Sequence, residues 1–310
     1  MVTTWYLRRK IKAFWPAQKT SLPSPGQVSA LANVDQLVFP SVSLCYHPVP
    51  VLAQFLAVQD QTRATKQRVL SVAASIAAAH PYGIFSSLTK AAEEFEEPLR
   101  ELEVDQISEL GLTGKLDRTW FILGNAFCMQ QEQIELGVAI YAIAQKFEAE
   151  GKTVLFLAQR QPKRVLGIFA LGYTPTPDSA AALEMLQDMG VEVLFLTSMQ
   201  TNVAKVMSHE LDVPVIQAEL SLQEKRHVVH ALLSTKATAA AVVDARGGGI
   251  DSYTPIESDP IRTILVGTSR GVTEDEGLLN VRSLDDLVDV IKISRMILAQ
   301  ARKALFWKRI

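Results

Sequence analysis

From Gly151 onward the sequence repeats one pattern: a short, almost wholly apolar run, then a stretch with helical spacing, then another apolar run. The runs are "TVLFLA", "VLGIFAL", "VEVLFLT", "VPVIQAE", "TAAAVVDA" and "RTILVG", and helical stretches at 177–189, 200–211 and 221–234 separate the later ones. A strand that is apolar on both faces must be covered on both, and helices between strands do this when the strands run parallel. The expected fold class is therefore α/β, a parallel sheet with helices on both faces. An earlier run, "VDQLVF" at 34–39, reads as one more strand of it. Ligands on such sheets bind beyond the carboxyl ends of the strands. The informative residues are thus those just after "DQLVF", "VLFLT" and "AAAVVDA".

The first half has a different texture. Residues 1–15 read as a short basic helix with Trp5, Ile11, Phe14 and Trp15 as apolar residues, and 16–27, "PAQKTSLPSPGQ", as a linker. Helices are expected at 64–79 and 82–95, a strand near 118–123, and a long amphipathic helix over 130–149. A final helix at 285–304 leads to an aromatic, basic end.

Composition narrows the function classes. With 48% hydrophobic and 21% charged residues the 310-residue chain is globular and long enough for two domains. A formal charge of −2 gives no field for nucleic acid, and none is expected as a partner. Cys45 and Cys128 stand far apart in apolar surroundings, read as buried thiols of a reducing compartment rather than a disulfide or zinc pair. No window approaches the roughly 18 apolar residues of a spanning helix. The start, "WYLRRKIKAFWP", lacks the apolar core and cleavage site of a secretory signal. The expected location is the cytoplasm.

Several stretches together resemble the cytoplasmic catalytic part of the heavy-metal-transporting P-type ATPases, a branch of the haloacid dehalogenase-like superfamily. "ALANVDQLVFPSVSLCY" resembles the strand leading into that family's Asp-Lys-Thr-Gly-Thr-Leu-Thr signature. "AASIAAAHP" is similar to the helix ending in the nucleotide domain's His-Pro, and "FILGNAF" to a later strand there. "VLGIFALGYTPTPDSAAALEMLQDMGVEVLFLTSMQTNVAKVMSHELDV" and "SLQEKRHVVHALL" follow the phosphorylation domain, and "LDDLVDVIKISRMILAQARKALFW" the helix entering the next membrane span. The resemblance runs from about residue 28 to 307. It implies a phosphorylation-domain-like part over 28–46 and 150–310, with an α+β nucleotide-domain-like insertion at 47–149 and an N-terminal arm and linker over 1–27.

The departures fall on the chemistry. By the resemblance Pro40 stands at the phosphorylated aspartate, Tyr173 and Thr176 at the aspartate and lysine of Asp-x-x-Lys-Pro, and Met199 at the aspartate of Thr-Gly-Asp. Thr197 and Lys225 match the family's threonine and phosphate-neutralising lysine, and Asp244 stands for the first magnesium-binding aspartate. Proline has no group with which to attack a phosphorus, and phosphoryl transfer depends on a nucleophile positioned among compensating charges. Pro40, Tyr173, Thr197, Met199, Lys225 and Asp244 are therefore vestigial positions, and no catalytic residue is expected.

Weaker signals remain. His80, Pro81, Gly111 and Gly124 are candidates for residual nucleotide contact, and Asp244 for weak magnesium binding, so ATP with magnesium is the one candidate ligand and no resident cofactor is expected. "GKT" at 151–153 follows a helix and precedes a strand, the reverse of a phosphate loop. Gly247–Gly249 reads as a surface loop. The two basic aromatic ends, residues 1–15 and 304–310, suit an anionic membrane surface or a membrane-protein partner. The functional expectation is a catalytically inactive binding or regulatory module with an unknown protein partner. The alternative is residual ATP binding or phosphohydrolase activity through Lys225, Asp244 and Thr197.

Overall fold

The computed structural model describes residues 2–15, 23–47, 49–79, 83–108, 111–244, 263–266 and 278–306. The chain divides into two units; one runs to Tyr46 and resumes at Pro175, and the other occupies His47–Thr174. The first unit opens with α1 (Val2–Phe14), α2 (Pro25–Ala32) and β1 (Gln36–Phe39). The second contains β2 (Val51–Ala57), α3 (Arg63–Ala77), α4 (Ser86–Glu94), β3 (Glu103–Ser108), β4 (Gly111–Leu116), β5 (Thr119–Gly124), α5 (Ala126–Gln131), α6 (Val138–Ala149), β6 (Thr153–Gln159) and β7 (Arg164–Gly172). The first resumes with α7 (Ser179–Asp188), β8 (Glu192–Leu196), α8 (Thr201–Glu210), β9 (Val215–Gln217), α9 (Leu222–Thr235), β10 (Ala239–Asp244), β11 (Thr263–Val266), β12 (Leu278–Val281) and α10 (Leu284–Phe306).

In the first unit six parallel strands lie in the order β12-β11-β10-β1-β8-β9. β1 is central because Leu37, Val38 and Phe39 are apolar on both faces, and all three are fully buried. Each such side chain contributes about 1.5–3 kcal/mol by leaving water. On one face Val38, Leu194, Leu196, Ala241 and Val243 pack with Val229 and Leu233 of α9. α9 starts where it does because Ser221 and Glu224 form a reciprocal cap, with the Glu224 N–H donating to Ser221 Oγ at 3.3 Å and the Ser221 N–H to Glu224 Oε2 at 2.8 Å. α10 packs against α2 and α7. Its Arg295 donates to the carbonyls of Met189 (2.6 Å) and Val34 (2.8 Å), tying the end of α7 to the approach to β1.

The second unit is an antiparallel sheet, β2-β7-β6-β5-β4-β3, with helices on each side. Along β5, β6 and the part of β7 beyond its register shift at Val165–Gly167 the side chains alternate. Phe121, Leu123, Leu155, Leu157, Phe169 and Leu171 join the α3 and α4 layer, while Ile122, Val154, Phe156, Ala158, Ile168 and Ala170 join Met129, Ala144 and Phe147 from α5 and α6. The pleat sends successive side chains to opposite faces, so strands in the middle layer are apolar throughout.

That property moves a domain boundary. "TVLFLA" and "VLGIFAL" are β6 and β7, joined through Arg160–Lys163 and paired antiparallel, so the insertion extends to Thr174 rather than ending at 149. An apolar run cannot distinguish a parallel sheet from an antiparallel sheet covered on both sides. The expected helix at 130–149 is also broken: α5 ends at Gln131, Gln133 takes a left-handed φ of 55°, and α6 begins after Gly137. The described parts of the N-terminal segment, 2–15 and 23–27, are largely helical. Leu7, Ile11 and Trp15 of the first helical segment are buried, and α1 packs on α10 and α2. Ser24, inside the expected linker, caps α2 together with Gln27, with Pro25 in the first turn. β2, β3, β4 and β12 fall outside the sequence expectation.

Candidate functional site: the carboxyl ends of the parallel strands

β1 lies between β8 and β10, and the register sets what meets at their carboxyl ends. Phe39 pairs with Phe195, and Val38 with Ala241. Carried beyond the strands, this register puts Ser41 level with Thr197 and with Asp244. The Phe39 and Phe195 rings stack with centroids 4.7 Å apart, both fully buried, and form an apolar floor beneath that level. Pro40 sits directly above the floor and is itself buried.

The chain after Pro40 closes on itself. Ser41 through Tyr46 are all buried. The Ser41 hydroxyl donates to Ser43 Oγ (2.8 Å), the Ser43 N–H donates back to Ser41 Oγ (3.0 Å), and the Cys45 N–H donates to the Val42 carbonyl (2.9 Å). The Cys45 carbonyl receives the Thr176 N–H (2.8 Å), the Thr176 hydroxyl (3.3 Å) and the Ser179 hydroxyl (3.2 Å). Thr176 therefore anchors the loop. Cys45 is the one thiol in this loop, and burial pushes it up to about 12, against a smaller downward pull from the Ser179 hydroxyl. It is neutral at ordinary pH, and a neutral buried thiol is not a nucleophile. Tyr46 is likewise held protonated, by burial and by the carboxylate of Glu210, to which its hydroxyl donates at 3.0 Å.

The remaining candidates are distributed as follows. Thr197 is fully buried; its N–H donates to the Gln217 carbonyl (2.8 Å) and its hydroxyl accepts the Met199 N–H (3.2 Å). Lys225 is fully buried in the first turn of α9, and Asp244 is half-buried at the end of β10. Met199 is half-buried in the turn before α8. Tyr173 belongs to the antiparallel unit, where its hydroxyl lies 3.0 Å from Thr153 Oγ1. A carboxylate-rich ion site is not formed by these residues. Pro40 and Met199 supply no oxygen, and among the described residues no three His, Cys, Asp or Glu side chains converge. Asp244 alone does not fit magnesium, which prefers several oxygen ligands in near-octahedral array.

Sequence reasoning missed a second opening in this unit. A cleft of about 200 Å³ at the ends of β11 and β12 is lined by Thr176, Asp178, Ser179, Arg282, Ser283 and Asp285 among others. Arg282 is paired with Asp286 at 3.4 Å. Among the described residues one cation, Arg282, is set among Asp178, Asp285 and Asp286, which gives no net attraction for an anion. Residues this distant in sequence converge through topology, so no local pattern announces them.

In the antiparallel unit Gly111 and Gly124 do come together, as cross-strand partners on β4 and β5. A Cβ on Gly111 would lie 2.6 Å from Cys128 Sγ and 2.8 Å from the Leu123 carbonyl oxygen, so packing within the protein requires this glycine. A cavity of about 370 Å³ in this unit is lined by Phe55, Lys66, Leu70 and Phe95 among others, and by neither glycine. His80, Pro81 and Gly247–Gly249 lie outside the described residues.

No family model matches the chain. It is 25% identical over 245 residues to a copper-transporting P-type ATPase of Rhizobium leguminosarum bv. viciae, covering 77% of this chain and 28% of that protein. A copper-exporting P-type ATPase of Bacillus subtilis is 27% identical over 188 residues, 60% of this chain and 22% of that protein. The fold matches a crystal structure of a zinc-transporting PIB-type ATPase with a TM-score of 0.65, at 20% identity, over 98% of this chain and 48% of that one. It also matches the catalytic CPx-ATPase domain CopB-B, studied for conformational changes on nucleotide binding, with a TM-score of 0.59 at 16% identity over 89% and 96% of the two chains.

The chain is a relative of the heavy-metal-transporting P-type ATPases. It spans only about a quarter of the length of these two curated relatives. Among P-type ATPase relatives the parallel unit corresponds in fold to the haloacid dehalogenase-like part, and the antiparallel unit to the nucleotide-binding part. Among the described residues no helix is long and apolar enough to cross a membrane.

Proposed function

We propose that this P-type ATPase relative is a catalytically inactive module that binds or regulates through its surfaces on the cytoplasmic side. One observation carries the reading: the tip of β1 is a buried proline above a stacked aromatic floor, and the loop beyond it is bonded shut. The family's covalent step needs a carboxylate there. No side chain in 40–46 substitutes for it, because the serines bond each other and burial keeps the thiol protonated. Fold and chemistry are separable, so a sheet can persist after its reaction is lost.

The test is incubation of the purified chain with labelled ATP and magnesium, followed by acid quench and hydroxylamine treatment, alongside a phosphatase assay. No labelled protein and no turnover are expected. A hydroxylamine-labile phosphoprotein, or turnover lost on Asp244→Ala, overturns the reading.

A second reading rests on the retention of Thr197 and Lys225, both fully buried, with Asp244 at the neighbouring strand end. It is residual ATP and magnesium binding without turnover. Isothermal titration with ATP and magnesium decides it: micromolar binding supports a nucleotide sensor, and the absence of heat at millimolar ATP removes it.

A further inference from the structure

α1 combines two properties that ordinarily exclude each other. Its apolar stripe is already used: Leu7, Ile11 and Trp15, spaced four apart, are 7%, 2% and 6% exposed, and α1 packs on α10 and α2. Such a helix should present an ordinary solvated surface on its far side, yet aromatic rings remain there. At 100° per residue Trp5, Arg9 and Lys12 project away from the buried stripe, with Tyr6 and Lys10 beside them. Trp5 is 61% exposed; Phe14, 45% exposed, projects opposite to it, at the edge of the buried stripe.

Cations are interleaved with these rings. The Arg9 guanidinium lies 5.9 Å from the Trp5 ring centroid, and the Lys10 ammonium lies 5.6 Å from that of Tyr6 and 5.0 Å from that of Phe14. Residues 1–15 contain Arg8, Arg9, Lys10 and Lys12 and no acidic residue. The segment therefore carries +4 in a chain of net −2, which leaves −6 on the remainder. A second acid-free cluster of four cations, Arg302, Lys303, Lys308 and Arg309, lies at the other end of the sequence.

We infer that the outer face of α1 is a docking surface for an anionic lipid bilayer. Charge complementarity selects an anionic partner, and the aromatic rings select its kind. A nucleic-acid backbone or an acidic protein segment would neutralise the cations and leave Trp5 in water. The headgroup layer of a bilayer accommodates both, with lysine and arginine at the phosphates and tryptophan and tyrosine at the polar–apolar boundary. Because α1 is fixed to α10 by its other face, binding needs no refolding of the helix and presents the parallel unit to the membrane as a rigid attachment. The other basic aromatic end, 304–310, lies outside the described residues from 307 onward and is not needed. This inference names the surface for the module proposed above, and its test is independent of catalysis.

The experiment is co-sedimentation of the full chain with large vesicles of phosphatidylcholine, either alone or with about 30 mole per cent phosphatidylglycerol as the anionic component. Binding to the anionic vesicles, weak binding to the neutral ones and release by about 0.5 M salt are expected. Each basic residue near a bilayer contributes on the order of fivefold in partition, so Arg9→Gln with Lys12→Gln should reduce it by about 25-fold. Trp5→Ala should reduce it several-fold at low salt. All three positions are on the solvent side of α1, and unchanged circular dichroism and melting temperature check the fold. Equal sedimentation with both vesicle types, or partition unaffected by the double substitution, overturns the inference. So does retention on heparin or a polyanionic peptide without vesicle binding. The phosphoenzyme assay on the same preparation reads the catalytic claim separately, so failure of one leaves the other standing.

Discussion

Thr176 donates both its backbone N–H and its hydroxyl to the carbonyl of Cys45, at 2.8 and 3.3 Å. By the resemblance this is the lysine position of the ATPases' Asp-x-x-Lys-Pro segment, and here it fastens a loop. Thr176→Val keeps the N–H bond and the shape but removes the hydroxyl. It should cost about 1 kcal/mol in urea unfolding, with no change in any nucleotide titration. A changed nucleotide affinity with unchanged stability would reassign the residue to a ligand.

Replacing Pro40 with aspartate supplies the missing carboxylate without its surroundings. The new group would sit in a buried position above the Phe39 and Phe195 rings, with Met199 and Thr176 at other altered positions. Burying a charge poorly compensated costs several kcal/mol. Pro40→Asp is expected to destabilise the protein by about 2–4 kcal/mol in denaturant melts and to give no phosphoenzyme with labelled ATP. A labelled Pro40→Asp protein would show that the rest of the site is still competent.

The thiol of Cys45 predicts a pH dependence. Below the ordinary value of 9.0 the folded and unfolded chains both hold the proton, so the thiol contributes no slope. Between that value and the folded value of about 12 the unfolded chain has released a proton that the fold retains. Stability therefore falls as pH rises through that window, by up to about 1.4 kcal/mol per pH unit from this group. Urea melts at pH 9, 10 and 11 should show this slope in the native sequence, and Cys45→Ala should reduce it by this group's share, the raised Tyr46 and Cys128 keeping theirs. Iodoacetamide at pH 8 should modify Cys45 only after denaturation.

Gly111 separates a packing role from a ligand role. An alanine there meets Cys128 Sγ and the Leu123 carbonyl at distances below normal contact, and the carbonyl belongs to the paired strand and cannot swing aside. Gly111→Ala should destabilise by about 1–3 kcal/mol, and adding Cys128→Ala should recover only part of it. Full recovery by the second substitution would mean that the thiol alone sets the constraint.

Much of the parallel unit was legible in the sequence. β1, β8, β10 and the helices between β8 and β10 fall within a few residues of expectation, because apolar runs separated by helical spacing report burial on both faces. The loss of the nucleophile was equally legible, since it is a matter of which residue follows Phe39. The assignment of β6 and β7 was not, because hydrophobicity records that a strand is covered and not which way its neighbours run. That depends on pairing between residues far apart in sequence, such as Leu155 with Phe169 across the hairpin and Phe121 with Gln159 beyond it.

The state of the candidate site was also a tertiary decision. Sequence named Pro40, Thr176 and Thr197 but gave no sign that Thr176 and Ser179 would meet the Cys45 carbonyl, or that the rings of Phe39 and Phe195 would stack beneath the altered position. Residue type fixes what chemistry a position can perform; the register of parallel strands fixes which positions stand beside one another. The same division holds at the N-terminus. Composition placed four cations among aromatic residues, and only the docking of Leu7, Ile11 and Trp15 determined which of those residues were left facing outward.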